Sequence, residues 1–504
     1  MSIVDNIYRH CLSGSFQGEL TAQNVSLYHT SPFSIYCEKF VSAERKDPLS
    51  PYRELLMERG LEHERRVIES KYPQCRLIHY ETPEEGFRTL LEEVAKGTDV
   101  ICGLPLFFLP ENMQGRIDVL ERRNDRYSVF GSYYYTVTEI KLVKKIRREH
   151  KLQAAFYTYM LAKLQEYTPH IFRIINHDFK AFEYSFADYE PELQSAVKGT
   201  RAILDGSEIP TATYNASEWP WERYSNHVAI RMRDVSLVGQ VGPRTKQKLI
   251  DRGFKKIWDV AYAKVDELKK IPGIHETTAK KLIVSASALM KNEPICVDSS
   301  ALQFPAKSTE FFLDLEGTDQ PDVEGECEPV DYLIGVVVCT DGIDAYHAFA
   351  AHRMRDEEKM FREFLSFVKT QKDYVIYHWH NYEHWHITRL AERYNSLEEV
   401  EALILPFMVD LHRMATKAFA FPTYTNGLKD VAAFLGFKWR HDDINALDAI
   451  AYYLKYQTDP EQYREKIQAV IDYNEDDCRA TKRIKDWLQE RSAQASDSRR
   501  FCFQ

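Results

Sequence analysis

The chain has 504 residues, of which 44% are hydrophobic, 28% charged and 13% aromatic. This composition excludes a disordered chain, and at roughly 100 to 200 residues per domain the length predicts about three folded domains. The formal net charge of -10 argues weakly against a nucleic-acid partner, because surfaces that bind phosphates carry excess Lys and Arg.

The hydrophobic pattern predicts neither a membrane span nor a secretory signal. No apolar run approaches the roughly 18 residues needed to cross a bilayer, so we expect no membrane association. The N-terminus lacks the basic flank and apolar core of a secretory signal, which predicts a cytoplasmic protein. Nine cysteines, scattered without paired spacing, are therefore expected to be reduced thiols.

The first part of the chain, residues 1–213, is predicted to be an α/β domain. Hydrophobic periodicity predicts helices over residues 51–70 and 84–95, strands over 114–120 and 133–137, and a helix over 149–166. A polar stretch with several aromatic residues, 214–227, follows and marks a domain boundary.

These two strands carry a group of ionisable side chains. Asp118 lies in the first strand, and Glu139 and Lys141 follow where the second strand continues past Val137, on one sheet face because side chains alternate with period two. Two carboxylates can hold Mg²⁺ or Mn²⁺, and a lysine can position or help deprotonate an attacking water. Gln153 and Tyr157 lie one turn apart on the next helix, where they could contact substrate.

The order of these residues is more specific than any one of them. It comprises His63 on the helix over 51–70, Asp118, Glu139-x-Lys141 and Gln153-xxx-Tyr157. Over residues 25–205 it resembles the RecB-type branch of the PD-(D/E)xK nucleases, which implies a restriction-endonuclease-like fold and metal-dependent phosphodiester cleavage. The resemblance implies that Asp118 and Glu139 are metal ligands, that Lys141 is catalytic, and that His63, Gln153 and Tyr157 support them. The alternative is a strand Asp, a surface Glu-Lys pair and ordinary helix residues.

Some relatives in this branch hold an iron–sulfur cluster, with one cysteine before the core and three after it. Cys37 matches the first position, but no cysteine occurs between Lys141 and residue 213. We therefore expect no iron–sulfur cluster and interpret Cys37 as a packed core thiol.

The middle segment, residues 231–292, holds 14 Lys/Arg against 6 Asp/Glu, a local net charge of +8 that leaves -18 for the rest. Residues 238–249 and 271–282 form a weak internal repeat with an offset of 33 residues. The repeat resembles a tandem helix-hairpin-helix motif, in which backbone N–H groups ahead of a helix bind a phosphate. It implies a small all-α DNA-binding domain, with phosphate contacts from Gly239, Gly242, Lys246, Lys248, Gly273, Lys280 and Lys281. A purely structural helical spacer is the alternative.

The last part, residues 305–495, is again predicted to be α/β, with strands over 310–315 and 332–338 and a helix over 460–490. Asp314 and Glu316 share one face of the first strand, whereas Leu313 and Leu315 take the other. Two carboxylates in an apolar strand are costly unless a cation neutralises them. The pattern therefore predicts a metal site.

Further along the chain, Glu383, Asp410, Tyr473 and Asp477 complete the set. The order resembles the DEDD exonucleases of the ribonuclease H-like fold, in the subgroup with a Tyr-xxx-Asp final motif. The resemblance implies that Asp314, Glu316 and Asp477 bind two metal ions, that Tyr473 orients the attacking water, and that cleavage runs from 3′ to 5′. DEDD enzymes have Asp at the third position, where this chain offers Glu383, with Asp410 as a further candidate ligand.

Together the three parts resemble a bacterial nuclease family that joins a RecB-like domain, helix-hairpin-helix motifs and a ribonuclease H-like domain. We expect a metal-dependent exonuclease that acts on DNA in processing, repair or defence. No Gly-xxxx-Gly-Lys-Ser/Thr loop occurs, so unwinding would need a helicase partner. The alternatives are a ribonuclease that acts on RNA or RNA–DNA hybrids, and a DNA-binding scaffold with vestigial nuclease sites.

Overall fold

The computed structural model describes residues 2–13, 19–75, 78–239, 241–319 and 329–501, with side chains described through residue 494. The chain divides into two compact units. Among the described residues, the first unit holds 2–49 and 53–228, and the second holds 50–52, 229–319 and those from 329 onward. The basic middle segment and the last part of the chain thus share a unit, and their division into separate domains stays a prediction.

The elements up to residue 204 build the first unit. They are α1 (Ile3–Cys11), α2 (Ala22–Leu27), α3 (Pro32–Phe40), α4 (Pro51–Lys71), α5 (Pro83–Lys96), β1 (Val100–Phe108), β2 (Met113–Arg123), β3 (Tyr134–Ile140), α6 (Arg148–Gln165), β4 (Ile171–Ile175), β5 (Ala181–Ser185) and α7 (Phe186–Leu204). The three helices predicted over 51–70, 84–95 and 149–166 are confirmed as α4, α5 and α6.

Local sequence explains the sharp ends of α5. The Thr82 hydroxyl accepts a hydrogen bond from the Glu85 N–H at 3.2 Å, and Pro83 occupies the first helical turn. Gly97 ends the helix at φ 74°, a left-handed conformation that glycine adopts without steric cost. The amphipathic α5 then buries Phe87 and Leu91 against the sheet.

The first sheet has the strand order β1-β2-β3-β4-β5. β3 and β4 run parallel, and the other neighbouring pairs are antiparallel. The parallel pair is connected through α6, whose buried face packs on the sheet. This arrangement places Asp118 on β2 beside the end of β3, where Glu139 lies.

The elements from residue 222 onward begin with a helix that leads into the basic segment. They are α8 (Glu222–Arg231), α9 (Pro243–Ile250), α10 (Ile257–Ala261), α11 (Val265–Leu268), α12 (Glu276–Lys291), β6 (Ile295–Cys296), β7 (Thr309–Gly317), β8 (Asp331–Thr340), β9 (Ile343–Ala350), α13 (Glu357–Lys369), β10 (Tyr374–His378), α14 (Tyr382–Arg393), α15 (Leu397–Leu403), β11 (Met408–Asp410), α16 (Leu411–Ala418), β12 (Phe419–Ala420), α17 (Leu428–Phe434), α18 (Ala446–Thr458) and α19 (Arg464–Phe501). The predicted strands over 310–315 and 332–338 are confirmed as β7 and β8, and the predicted helix over 460–490 lies within α19 apart from its first turn.

The second large sheet has the strand order β11-β10-β7-β8-β9. β7, β10 and β11 run parallel, so their carboxyl ends meet at one edge of the sheet. Phe311, Leu313 and Leu315 of β7 pack with α13 and α14 on one face of the sheet. The alternate residues, including Asp314 and Glu316, face α19, as the period-two pattern predicts.

The prediction of reduced thiols is wrong for one pair of cysteines. Cys75, after α4, and Cys102, on β1, form a disulfide with a Cα–Cα distance of 6.5 Å, within the usual range for such bonds. The two residues are 27 positions apart, and they meet because the end of α4 packs beside the sheet around Val67, Ile68 and Cys102. Among the described residues, five cysteines are free, including the buried Cys37.

Burial keeps the free thiols Cys11 and Cys37 in their protonated form. Desolvation raises the pKa of Cys11 and that of Cys37 to about 12, so both stay protonated at neutral pH. In the part of the chain that the structure describes, no helix combines the length and apolarity needed to cross a membrane.

Candidate active sites and nucleic-acid interface

The first candidate site gathers three predicted side chains at the middle of β2 and the end of β3. Asp118 Oδ2 accepts a hydrogen bond from the Ile140 N–H at 2.8 Å, and Lys141 Nζ lies 3.0 Å from Glu139 Oε2. Glu139 is 2% exposed, and its second oxygen, Oε1, accepts no hydrogen bond among the described residues. A buried carboxylate oxygen without a donor suits a metal ion, since an unpaired buried charge is costly.

The charges of this site act on one another. Burial and then the charge of Glu139 raise the pKa of Asp118 well above its usual value, while Lys141 opposes the shift. Burial likewise raises the pKa of Glu139, and the carboxylates Glu139 and Asp118 raise the pKa of Lys141 against desolvation. Lys141 therefore stays an ammonium, suited to hold a phosphate or a water rather than to accept a proton.

Tyr157 lies near this site, and a glycine makes room for it. A Cβ on Gly115 of β2 would lie 2.3 Å from the Tyr157 ring, so only glycine permits this approach. Burial, followed by the charges of Glu139 and Asp118, raises the pKa of Tyr157. One turn earlier, Gln153 donates a hydrogen bond to the Ser26 hydroxyl at 3.2 Å. Both side chains line a cavity of about 670 Å³.

His63 and its neighbour Glu64 lie on the same turn of α4. The buried His63 ring stacks on His177, with ring centroids 5.9 Å apart, and meets Phe179 edge-on. Glu64 ion-pairs with Arg116 at 3.0 Å, and its charge raises the pKa of Asp118. Sequence reasoning selected His63 and passed over Glu64, although Glu64 is the carboxylate whose charge reaches the site. The role of His63 as a metal ligand stays a prediction.

The second candidate site holds the tightest acidic group of the described residues. One ligand atom each from half-buried Asp314, buried Glu316 and buried Asp477 lies within 4.8 Å of the other two. Among the described residues no other set of three or more His, Cys, Asp or Glu meets this criterion. Their spacing fits a divalent cation with oxygen ligands.

Close packing between α19 and β8 fixes this geometry. A Cβ on Gly335 of β8 would lie 1.6 Å from Asn474 Oδ1, so glycine at this position admits the α19 side chain. Asn474 then donates a hydrogen bond to Asp314 Oδ2 at 2.7 Å, and the Tyr346 hydroxyl donates to Asn474 Oδ1 at 2.8 Å. The sequence gives no signal for this positioning role of Asn474, apart from its place one residue after Tyr473.

The carboxyl groups of this site favour protonation when no cation is present. Burial, then Asp477 and Glu316, raise the pKa of Asp314, and burial and then Asp477 raise the pKa of Glu316. Burial raises the pKa of Asp477 to about 6, although the hydrogen bond from Trp439 Nε1, at 2.7 Å, acts in the opposite direction. Ionised together without a cation, these carboxylates would destabilise the fold, which favours a role as metal ligands.

Tyr473 donates its hydroxyl hydrogen bond to Asp477, one helical turn away. Burial, followed by the charges of Asp477, Glu316 and Asp314, raises the pKa of Tyr473. The phenol therefore stays protonated at neutral pH. It can orient a water by hydrogen bonding but cannot serve as a base.

The two candidates for the third ligand differ in their surroundings. Glu383, on the first turn of α14, is 3% exposed and lies 3.4 Å from His378 Nδ1, and its charge raises the pKa of Asp314. Asp410 Oδ1 accepts the Arg413 N–H at 2.9 Å, so this carboxylate caps α16. Neither belongs to the tight group of three, and the structure favours Glu383 over Asp410 as its neighbour.

One lysine beside this site, Lys429, was not predicted from the sequence. Lys429 of α17 lies with Nζ 4.5 Å from the Tyr473 ring centroid and donates a hydrogen bond to the Ile444 carbonyl at 3.0 Å. Desolvation lowers the pKa of Lys429, while Asp477, Glu316 and Asp448 oppose the shift. No motif carries this residue, because 44 positions separate it from Tyr473.

The helix-hairpin-helix segment offers some of the predicted phosphate contacts but not Lys246. Lys246 is 3% exposed and its Nζ lies 3.0 Å from Asp234 Oδ1, so it is a buried ion pair and cannot reach a phosphate. Its helix face explains this, since Lys246 and Leu249 are the buried residues of α9.

The remaining predicted contacts lie at or near the two hairpins. Gly242 caps α9, and a Cβ there or on Gly239 would meet no atom within 4 Å, so both hairpin positions are open. In the second hairpin, Gly273 has φ +89°, and Lys248 donates to the Pro272 carbonyl at 2.9 Å. Lys280 and Lys281 are exposed on α12, where Lys280 pairs with Glu276 at 2.6 Å.

Without a bound metal, the second site should make the thermal stability of the protein depend on pH. Because the pKa of each carboxyl group is higher in the folded than in the unfolded state, the stability that they contribute is present at low pH and is lost as pH rises through the folded value. In EDTA, we expect the Tm to decrease as the pH is raised from about 5 to about 7. Addition of Mn²⁺ should increase the Tm more at about pH 7 than at about pH 5. Asp314→Asn should raise the metal-free Tm, by an amount that grows with pH in differential scanning calorimetry. A difference that does not grow with pH would contradict this assignment.

Comparisons with known proteins bear on the second unit. Residues 311–489 match the family model of the RNase H superfamily, and residues 232–288 match a model described as a SAM-like helix-hairpin-helix tandem. No curated protein and no solved structure matches the chain significantly. The predicted ribonuclease H-like and helix-hairpin-helix domains are thereby confirmed, whereas the RecB-like domain stays a prediction. The two matched domains indicate a nuclease that acts on nucleic acids.

Proposed function

We propose that the chain is a divalent-metal-dependent exodeoxyribonuclease with two cleavage sites. The observation that carries the proposal is the group of Asp314, Glu316 and Asp477, whose ligand atoms lie within 4.8 Å of one another in a domain of the RNase H superfamily. Such a group is costly without a cation, so it supports a catalytic rather than a vestigial site. The ion is Mg²⁺ or Mn²⁺, in keeping with the oxygen ligands.

In this domain each side chain has a distinct part. Asp314, Glu316 and Asp477 hold the metal, with Glu383 beside them, and the bound ions supply charge stabilisation for the attacking and leaving oxygens of an in-line displacement. Asn474 fixes the orientation of Asp314 through its hydrogen bond. Tyr473, held by its hydrogen bond to Asp477, orients the attacking water. Cleavage proceeds from the 3′ end, as the resemblance to the DEDD exonucleases implies.

The first candidate site, in the first unit, supplies the other cleavage activity. Asp118 and Glu139 are its metal ligands, which the free buried oxygen of Glu139 supports. Lys141, paired with Glu139 at 3.0 Å, positions the attacking water and offsets charge on the phosphate. The cavity that Gln153 and Tyr157 line has a volume of about 670 Å³, which is large enough for a nucleotide.

DNA as the substrate is supported by the helix-hairpin-helix tandem, whose open hairpins and exposed lysines suit backbone phosphates. The test is an assay on 5′-labelled single-stranded DNA, duplex DNA, RNA and RNA–DNA hybrid, with Mg²⁺, Mn²⁺ or EDTA. We expect DNA to be shortened only in the presence of the metal. Preferential cleavage of RNA or the hybrid would favour a ribonuclease, and binding without cleavage would favour a DNA-binding scaffold.

A further inference from the structure

Lys429 lies at the second site in a fixed position. Its Nζ is 4.5 Å from the Tyr473 ring centroid and 5.9 Å from the Trp439 ring centroid, and it donates to the Ile444 carbonyl at 3.0 Å. Trp439 and Tyr473 both hydrogen bond to Asp477. The ammonium group is thus held beside the two aromatic residues that orient a metal-binding carboxylate.

Lys429 interacts electrostatically with the carboxylates of this site but does not pair directly with any of them. Asp477, Glu316 and Asp448 are the carboxylates whose charges act on it, yet in the described part of the chain Lys429 forms no ion pair. A lysine ammonium has three N–H donors, and the Ile444 carbonyl takes one of them. The other two donors form no hydrogen bond with any described residue, on a cation that is already held beside the Tyr473 ring.

We propose that Lys429 is a catalytic residue that contacts the substrate: its ammonium group binds a non-bridging oxygen of the scissile phosphate in the second site. The inference rests on the proposed nuclease function of that site. Once metal ions neutralise Asp477 and Glu316, Asp448 is the one carboxylate of the three that still acts on this ammonium, and an anion brought to the metals adds a new attraction. A phosphodiester held between the metals and the Tyr473 hydroxyl is such an anion.

A purely structural lysine would behave differently. Its hydrogen bond to the Ile444 carbonyl would hold the segment between α17 and α18, and its loss would disturb Tyr473 and the metal ligands together. A lysine that binds phosphate instead repels the metal slightly, because both are cations near the same carboxylates. Metal affinity therefore separates the two roles.

The experiment compares Lys429→Met, Lys429→Arg and the control Lys438→Met in the full-length Asp118→Ala protein, so that only the second site cuts. Lys438 is exposed, lies nine residues away and, unlike its neighbour Trp439, has no described hydrogen bond to the carboxylates of the site. Turnover of 5′-labelled single-stranded DNA, Mn²⁺ affinity by calorimetry, and DNA binding across a salt series in Ca²⁺ are measured. For Lys429→Met we expect turnover to fall about 100-fold, the scale of one donor to a developing oxyanion. Lys429→Arg should retain part of the activity.

Two further readouts complete the expectation. Mn²⁺ affinity should stay unchanged or increase in Lys429→Met, and the log–log salt slope should become shallower by about 0.7, the value for one phosphate contact on a single strand. Turnover and slope equal to those of Lys438→Met would overturn the inference, as would a parallel loss of turnover and Mn²⁺ affinity. Cleavage that survives Asp314→Ala would instead overturn the proposed function, and the salt slope would still report a phosphate contact.

Discussion

Replacing Asp118 and Asp314 together is expected to abolish metal-dependent cleavage of DNA. Each substitution removes a carboxylate that we propose as a metal ligand, at a cost of several kcal/mol of transition-state stabilisation, or about 10³-fold in rate. Asp118→Ala and Asp314→Ala alone should each leave the other site active. The measurement is the initial rate on labelled DNA in Mn²⁺, with the matched control Asp188→Ala, which alters an exposed residue on α7.

The two single variants also assign the two activities. If they remove different products from the gel, the chain has two working sites that act on different parts of a substrate. If one of them alone abolishes all cleavage, the other site is vestigial. Full activity of the double variant would show that both assignments are incorrect, and circular dichroism would verify that each protein is folded.

Local periodicity predicted the parts of these sites that lie close together in sequence. The two-residue period of a strand placed Asp314 and Glu316 on one face, and the turn of a helix placed Tyr473 against Asp477, where a hydrogen bond joins them. The two-residue period of a strand also placed Lys141 beside Glu139, and Lys141 Nζ lies 3.0 Å from Glu139 Oε2. Such pairs depend only on the element in which they lie.

The sequence-based predictions failed where the position of a side chain depends on which helix face is buried or on how distant segments pack. Lys246 was taken as a phosphate contact from the repeat alone, although Leu249, three residues later, marks that face of α9 as buried. The disulfide of Cys75 and Cys102 and the place of Lys429 depend on how distant segments pack. No spacing rule carries that information.

Loss of the Tyr473 hydroxyl is expected to slow the second site without emptying it. Tyr473→Phe removes the hydrogen bond to Asp477 and the group that orients the water, but it removes no carboxylate. We expect turnover to fall about 10- to 100-fold, within the range for one positioned hydrogen-bonding group, with Mn²⁺ affinity nearly unchanged. Asp477→Ala should weaken both. Equal loss of Mn²⁺ affinity in the two variants would mean that Tyr473 supports the metal ligands rather than the water.

The proposed direction of cleavage, which the DEDD resemblance implies, is tested on the Asp118→Ala protein, in which the first site is silent. With single-stranded DNA labelled at the 5′ end, removal of nucleotides from the 3′ end should give a ladder of progressively shorter labelled products. Tyr473→Phe should produce the same ladder more slowly, because it alters the rate of each cut and not the end from which the strand enters. Immediate release of labelled mononucleotide would reverse the polarity and contradict the DEDD assignment of Asp314, Glu316 and Asp477. Their close packing would then serve a different cut, made at the 5′ end of the strand.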